Sequence, residues 1–263
     1  MARATALVAA APDDPNRYFT LGLAQSEQDV TKAIESFRRA LALEPRHVLA
    51  RYNLALVLKR ADRLSEALDE LQRTLAIEPR AEAYYTLGVI HWHQGELDRA
   101  VTALRAAVDV DPAFADAHDT LGAVLKAKRD WTGADTALRR AIALRPDLPA
   151  AHYTRAQVLQ LRGDGSGARA ELAEADRLRE RSRLEQEAGV WTAVGTQKLD
   201  AGELTAAVDA FRRATTLVES YAPAYYQMGR ALDRLGQHDA ARAAFTRAQQ
   251  LNPGLVPPPR DSR

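Results

Sequence analysis

The 263-residue chain contains no cysteine. Disulfides, thiolate metal sites and cysteine nucleophiles are thereby excluded, and cysteine usage is silent on redox compartment. Neither sign of charge is in excess: 36 Lys and Arg stand against 35 Asp and Glu, a formal net charge of +1. A chain so balanced gives no electrostatic reason to expect nucleic acid or an anionic membrane surface as its main partner. No apolar run approaches the ~20 residues that span a bilayer, so no membrane insertion is expected. No histidine, carboxylate and hydroxyl stand at catalytic spacing. The chain is therefore expected to be no enzyme, with no catalytic residue, metal or cofactor assigned.

The ends are plain. Residues 1–14, "MARATALVAAAPDD", carry one arginine and a short Ala/Val/Leu stretch at the lower limit of a signal-peptide core, and are expected to be a disordered leader. Residues 256–263, "VPPPRDSR", form a Pro-rich tail that cannot continue a helix. The expected compartment is the cytoplasm, or the periplasm if the leader is a truncated signal sequence. Abundant Ala, Arg and Leu suggest a GC-rich bacterial source.

What is present is a repeat. "TLGVIHWHQGELDRA" at residues 86–100 aligns with "TLGAVLKAKRDWTGA" at residues 120–134, an offset of 34. The register extends to seven units, starting at Pro15, Val48, Ala81, Ala115, Pro149, Ala188 and Ala222. Position eight is always small: Gly22, Ala55, Gly88, Gly122, Ala156, Gly195 and Gly229. Position twenty is always alanine: Ala33, Ala67, Ala100, Ala134, Ala168, Ala207 and Ala241, the first unit's turn being one residue short. Small residues recurring on two successive helices let those helices approach closely. Between the columns lie turns such as "QGEL", "AGEL" and "LGQH", where Gly95, Gly202 and Gly236 suit the positive φ that ends a helix. Pro45, Pro79, Pro112, Pro146 and Pro253 close most units. Large apolar residues at position seven (Leu21, Leu54, Leu87, Leu121, Val194, Met228) and twenty-four (Phe37, Leu71, Leu104, Leu138, Leu172, Phe211, Phe245) complete a buried stripe.

At these residues the sequence resembles the tetratricopeptide repeat family, in a bacterial form, over nearly all of Pro15 to Leu255. The resemblance implies an all-α fold: a right-handed superhelical α-solenoid of seven helix-turn-helix units, about 14 helices. The fifth unit departs from the pattern, with Arg155 for the usual leucine and Glu180 for the proline. Units one to five are thus expected over 15–182, a helical insert over 183–187 with a kink or altered stacking, and units six and seven over 188–255. Arg181/Glu185 and Arg183/Glu187 are spaced to pair along that insert.

The register decides the two suggestive motifs. In "HWHQGELDRA", His91 and His93 lie two residues apart on a helix and point about 200° apart, so they cannot chelate one ion. "RGDGSG", Arg162 to Gly167, falls on an inter-helix turn with no strand before it, so it is not a phosphate-cradling loop.

By resemblance, the first helix of each unit lines a concave wall through positions two, five, nine and twelve. Position five reads Phe19, Tyr52, Tyr85, Asp119, Tyr153, Thr192 and Tyr226. Leu56, Lys59, Val89, Trp92, Lys126, Gln157 and Arg230 flank it. Such a column of rings suits a peptide segment of a partner protein, unless it packs against the next repeat. Trp92, a large ring with less packing reason at position twelve, is the expected anchor. The chaperone-type carboxylate clamp is missing, since Tyr52, Leu56, Thr86, Asp116 and Thr120 occupy its places. The expected function is a non-enzymatic interaction scaffold. The alternatives are a homo-oligomer assembled through uncapped repeat ends and the recruiting part of a larger enzyme.

Overall fold

The computed structural model describes residues 13–256; the expected leader, apart from Asp13 and Asp14, and all the expected tail but Val256 lie outside them. The described residues form thirteen α-helices and no strand. In chain order these are α1 (Pro15–Ser26), α2 (Val30–Leu43), α3 (Val48–Arg60), α4 (Leu64–Ile77), α5 (Ala81–His93), α6 (Leu97–Val110), α7 (Ala115–Ala127), α8 (Trp131–Leu144), α9 (Pro149–Leu161), α10 (Gly165–Asp200), α11 (Leu204–Leu217), α12 (Ala222–Arg234) and α13 (His238–Leu251). Six of the seven units read from the 34-residue period begin on the first residue of a helix. The exception is Ala188, which lies inside α10.

Each helix pair closes around the small-residue columns. A β-carbon at Gly22 would come within 2.6 Å of the Phe37 ring, and one at Gly88 within 2.6 Å of Leu104 Cγ. Position eight is thus the socket and position twenty-four the side chain that fills it. The alanines of position twenty are buried in all seven units. The turn between the two helices takes positive φ at Gly95, Gly163, Gly202 and Gly236, and the same turn position holds Asp62 (φ 57°) and Arg129 (φ 63°) in units two and four. Asp14, Asp29 and Asp130 cap the following helices, each accepting a backbone N–H.

Thirteen helices replace the expected fourteen because the second helix of unit five and the first of unit six are one rod of 36 residues. With Glu180 where other units place proline, nothing removes a donor or forces the ring clash that would stop the rod. Proline is not the only stop, however. α11 ends at Leu217 although Glu219 occupies the proline position, amid the β-branched Thr215, Thr216 and Val218 and before Pro223. Along the exposed middle of α10, Arg181 donates to Glu185 (2.8 Å) and Arg183 to Glu180 (2.7 Å) and Glu187 (3.2 Å).

The chain divides into two compact units, Met1–Ala175 and Asp176–Arg263. In the first, one core gathers around Phe37, Leu54, Leu58 and Leu71, and a second around Leu104, Leu121, Val124 and Leu138. In the second unit, Leu199, Phe211, Leu232 and Phe245 form one cluster and Ala188, Ala214 and Ala224 another.

Candidate functional site

The position-five column is less exposed than the helical pattern predicts. Phe19 packs on the first core, its ring centroid 6.1 Å from Phe37 and 5.1 Å from His47. Tyr52 is half-buried on the same core, with its hydroxyl 3.5 Å from Thr86 Oγ1 of the next repeat. Burial pushes its phenol up from the usual tyrosine value. Tyr85 packs on the second core against Phe114 at 5.1 Å, and Tyr226 edge-on to Phe245 at 5.6 Å. Trp92 also has a packing role, being half-buried on the second core. Leu56, Lys59, Val89 and Thr192 are half-buried, and Arg230 is exposed. Residues two turns apart in the helical pattern are thus shared between a wall and the joint with the neighbouring repeat.

Asp119 stands in this column as its acidic member. Burial first, then the neighbouring Asp116, pushes its carboxyl above the usual carboxylate value, against the pull of Arg145.

Two histidines, His91 and His152, are buried, and each pairs with a glutamate. Buried His91 places Nδ1 2.6 Å from Glu96 Oε2 across the turn, while His93 faces solvent. That hydrogen bond, helped by Arg99, holds the Glu96 carboxyl low. His152, also buried, sits 2.6 Å from Glu171 Oε2 and 3.0 Å from the Pro146 carbonyl oxygen. Among the described residues, no group of three or more His, Asp or Glu is placed to hold a metal. The "RGDGSG" segment is the turn before α10: Asp164 accepts from the Gly167 N–H at 2.8 Å.

One joint brings predicted residues together, that between repeats four and five. Arg155, which stands for a leucine, donates from Nε to Asp135 Oδ1 at 2.8 Å and pairs with Glu171. Arg162 donates to the other Asp135 oxygen at 2.7 Å. Burial alone would raise the Asp135 carboxyl; Arg155, Arg139 and Arg162 hold it below its ordinary value. This network was not legible beforehand, although Arg155 in a leucine column is its sequence signal. Beside it, Lys126 Nζ donates to Gln157 Oε1 at 2.6 Å.

Lys126, Gln157 and Tyr153 then line a groove of about 600 Å³ with Trp131, Leu161, Ala168, Arg169 and Leu172. Leu172 was expected in the buried stripe. It is 41% exposed, with Leu161 at 56% and Tyr153 at 39%, whereas Phe37, Leu71, Leu104 and Leu138 at the equivalent position are fully buried. Of the thirteen predicted residues, Lys126, Tyr153 and Gln157 share the groove; Tyr52, Tyr85 and Trp92 lie at earlier joints of the first unit, and Tyr226 and Arg230 in the second unit.

Stacked helix pairs at a fixed interval, with a side-chain-lined groove in the first unit, define a helical-repeat protein. Family comparison names the repeat: models described as tetratricopeptide repeat match residues 24–89, 81–114, 149–174 and 222–255, together more than half of the chain. The chain belongs to the tetratricopeptide repeat family. Solved structures with this fold include MamA (TM-score 0.58, 22% identical, covering 62% of this chain and 96% of that one). Another is YrrB, described as a TPR protein with an unusual peptide-binding site (0.57, 18%, 66% and 91%). In the APC/C hetero-tetramer Cut9-Hcn1 the match covers 87% of this chain and 45% of the other, at 18% identity and TM-score 0.56. A curated relative, anaphase-promoting complex subunit 3 of Dictyostelium discoideum, is 29% identical over 96 residues; the match spans 36% of this chain and a tenth of that protein. No described helix is long and apolar enough to cross a membrane. Membership of this family supports a role in protein interaction.

Proposed function

We propose that this chain is a non-enzymatic scaffold that holds a segment of another protein against the first-helix wall, centred on Tyr153, Gln157 and Lys126. The observation that carries this reading is the apolar groove those residues share, with exposed Leu161 and Leu172 at its edge. Large apolar side chains left in solvent on a folded repeat mark an interaction surface. Tyr85, Trp92 and Asp119 extend the wall along the preceding repeats, and the unusual peptide-binding site of YrrB offers a precedent within the fold.

The test is affinity capture with the full chain carrying Tyr153→Ala and Leu161→Glu. Both side chains are exposed, so helicity is expected to stay unchanged. Val110→Glu, at an exposed residue outside the groove, is the control. The reading requires a co-purifying chain that the control retains and the double variant loses. Equal recovery by all three proteins discards it.

A further inference from the structure

Repeat four shows how one repeat receives a helix, and repeat five presents the same face with its charge reversed. On repeat four, α9 lies across Lys126, Asp135 and Leu138. Arg155 bonds Asp135, Gln157 bonds Lys126, and Leu138 is fully buried. Thirty-four residues on, those three positions are Gln160, Arg169 and Leu172. The acid has become a base, and the leucine is open to solvent.

The groove lining reinforces the sign. It includes Lys126 and Arg169 and no carboxylate. Lys126 is bonded to a neutral amide, and Arg169 has no carboxylate partner among the described residues. Two uncompensated cations beside a strip of Leu161, Leu172 and Tyr153 are complementary to an amphipathic helix with an apolar stripe and an acidic flank.

We infer that the repeat-five face takes an acidic amphipathic helix from a different protein, with a carboxylate on Arg169 at the place where α9 sets Arg155 on Asp135. This rests on the scaffold reading and specifies its ligand. No first helix of a second copy offers a carboxylate at that place. The residue equivalent to Arg155 in the other units is Leu21, Leu54, Leu87, Leu121, Val194 or Met228, none of them acidic.

The experiment titrates the full chain against two fluorescent, lactam-stapled 13-residue peptides. One copies α9 (Pro149–Leu161) and the other is its Arg155→Glu form. Stapling is needed because a helix this short is marginal alone. The expected result is at least tenfold tighter anisotropy-detected binding of the Glu peptide, with the preference reversed on an Arg169→Glu protein and erased at high salt. Equal affinities, no binding of either peptide, or a preference that survives Arg169→Glu would overturn the inference. So would sedimentation showing a homodimer that Arg169→Glu dissociates, because the face would then belong to a second copy. The affinity capture separates the two ideas. A partner lost on Tyr153→Ala and Leu161→Glu, together with indifferent peptides, removes the acidic helix and leaves the scaffold standing.

Discussion

A β-carbon placed on Gly195 would lie 2.5 Å from the ring of Phe211, which is fully buried. The same socket joins Gly229 to Phe245 at 2.7 Å and Gly122 to Leu138 at 2.5 Å. Backbone proximity within a pair, rather than any single polar contact, therefore sets where each second helix can lie.

Gly195→Ala should consequently cost about 1–3 kcal/mol, the usual range for overpacking a filled core. Gly189, six residues earlier on α10, has only the Tyr221 hydroxyl at 3.4 Å from its β-position. Gly189→Ala should stabilise by roughly 0.5–1 kcal/mol through helix propensity. Urea denaturation of both variants checks the opposite signs; equal effects would remove the socket argument.

Asp135 and Arg155 make a second pair of predictions. Asp135→Ala leaves the half-buried Arg155 with Glu171 as its one remaining carboxylate and should destabilise by about 1–3 kcal/mol, discounted from a pair that loses its sole partner. Arg181→Ala, on an exposed pair, should cost less than about 0.5 kcal/mol. Replacing both joint partners, Asp135→Leu with Arg155→Leu, should recover most of the loss. Chemical denaturation of the three proteins compares them directly.

Asp119 gives the pH test. Its folded carboxyl is raised by burial, so the folded state binds the proton more tightly than the unfolded chain, whose aspartates titrate near ~3.9. Stability contributed by this group is present below that value and falls as pH rises through the folded one. Asp119→Asn should melt higher than the parent at pH 7, and the difference should vanish below about pH 4. Asp135 has the opposite sign, because its folded carboxyl is lowered. Its contribution is present above the unfolded value and is lost as pH falls through the folded one. Thermal melts between pH 3 and 8 read both.

Arg129 and Asp62 occupy the left-handed turn position that glycine fills in units three, five, six and seven. Arg129→Gly should raise stability by about 0.5–1 kcal/mol, relief of side-chain strain exceeding the added freedom of the unfolded chain. A lower melting temperature for this variant would contradict that balance.

Much of this architecture is written at short range. Gly95 and Gly202 announce their turns, and the 34-residue spacing of Ala100, Ala134 and Ala168 marks helices that must touch. The long rod of α10 is half legible: Glu180 removes a stop, yet Glu219 shows that the same absence does not compel continuation. The wall was harder to read. Whether Tyr52 or Trp92 faces solvent depends on the neighbouring repeat, which a helical wheel drawn on one helix does not contain. Leu172 was misplaced too: its column is buried in the other six units, down to Phe245 on the last described helix, and only in unit five is it open.

The most direct test of the scaffold account is photo-crosslinking in cells producing the full chain, with a benzophenone amino acid at position 161 in one protein and at position 110 in another. The account predicts a discrete adduct with another polypeptide from position 161, absent from position 110 and abolished by Tyr153→Ala. Matching adducts from both positions, or none from position 161, would contradict it.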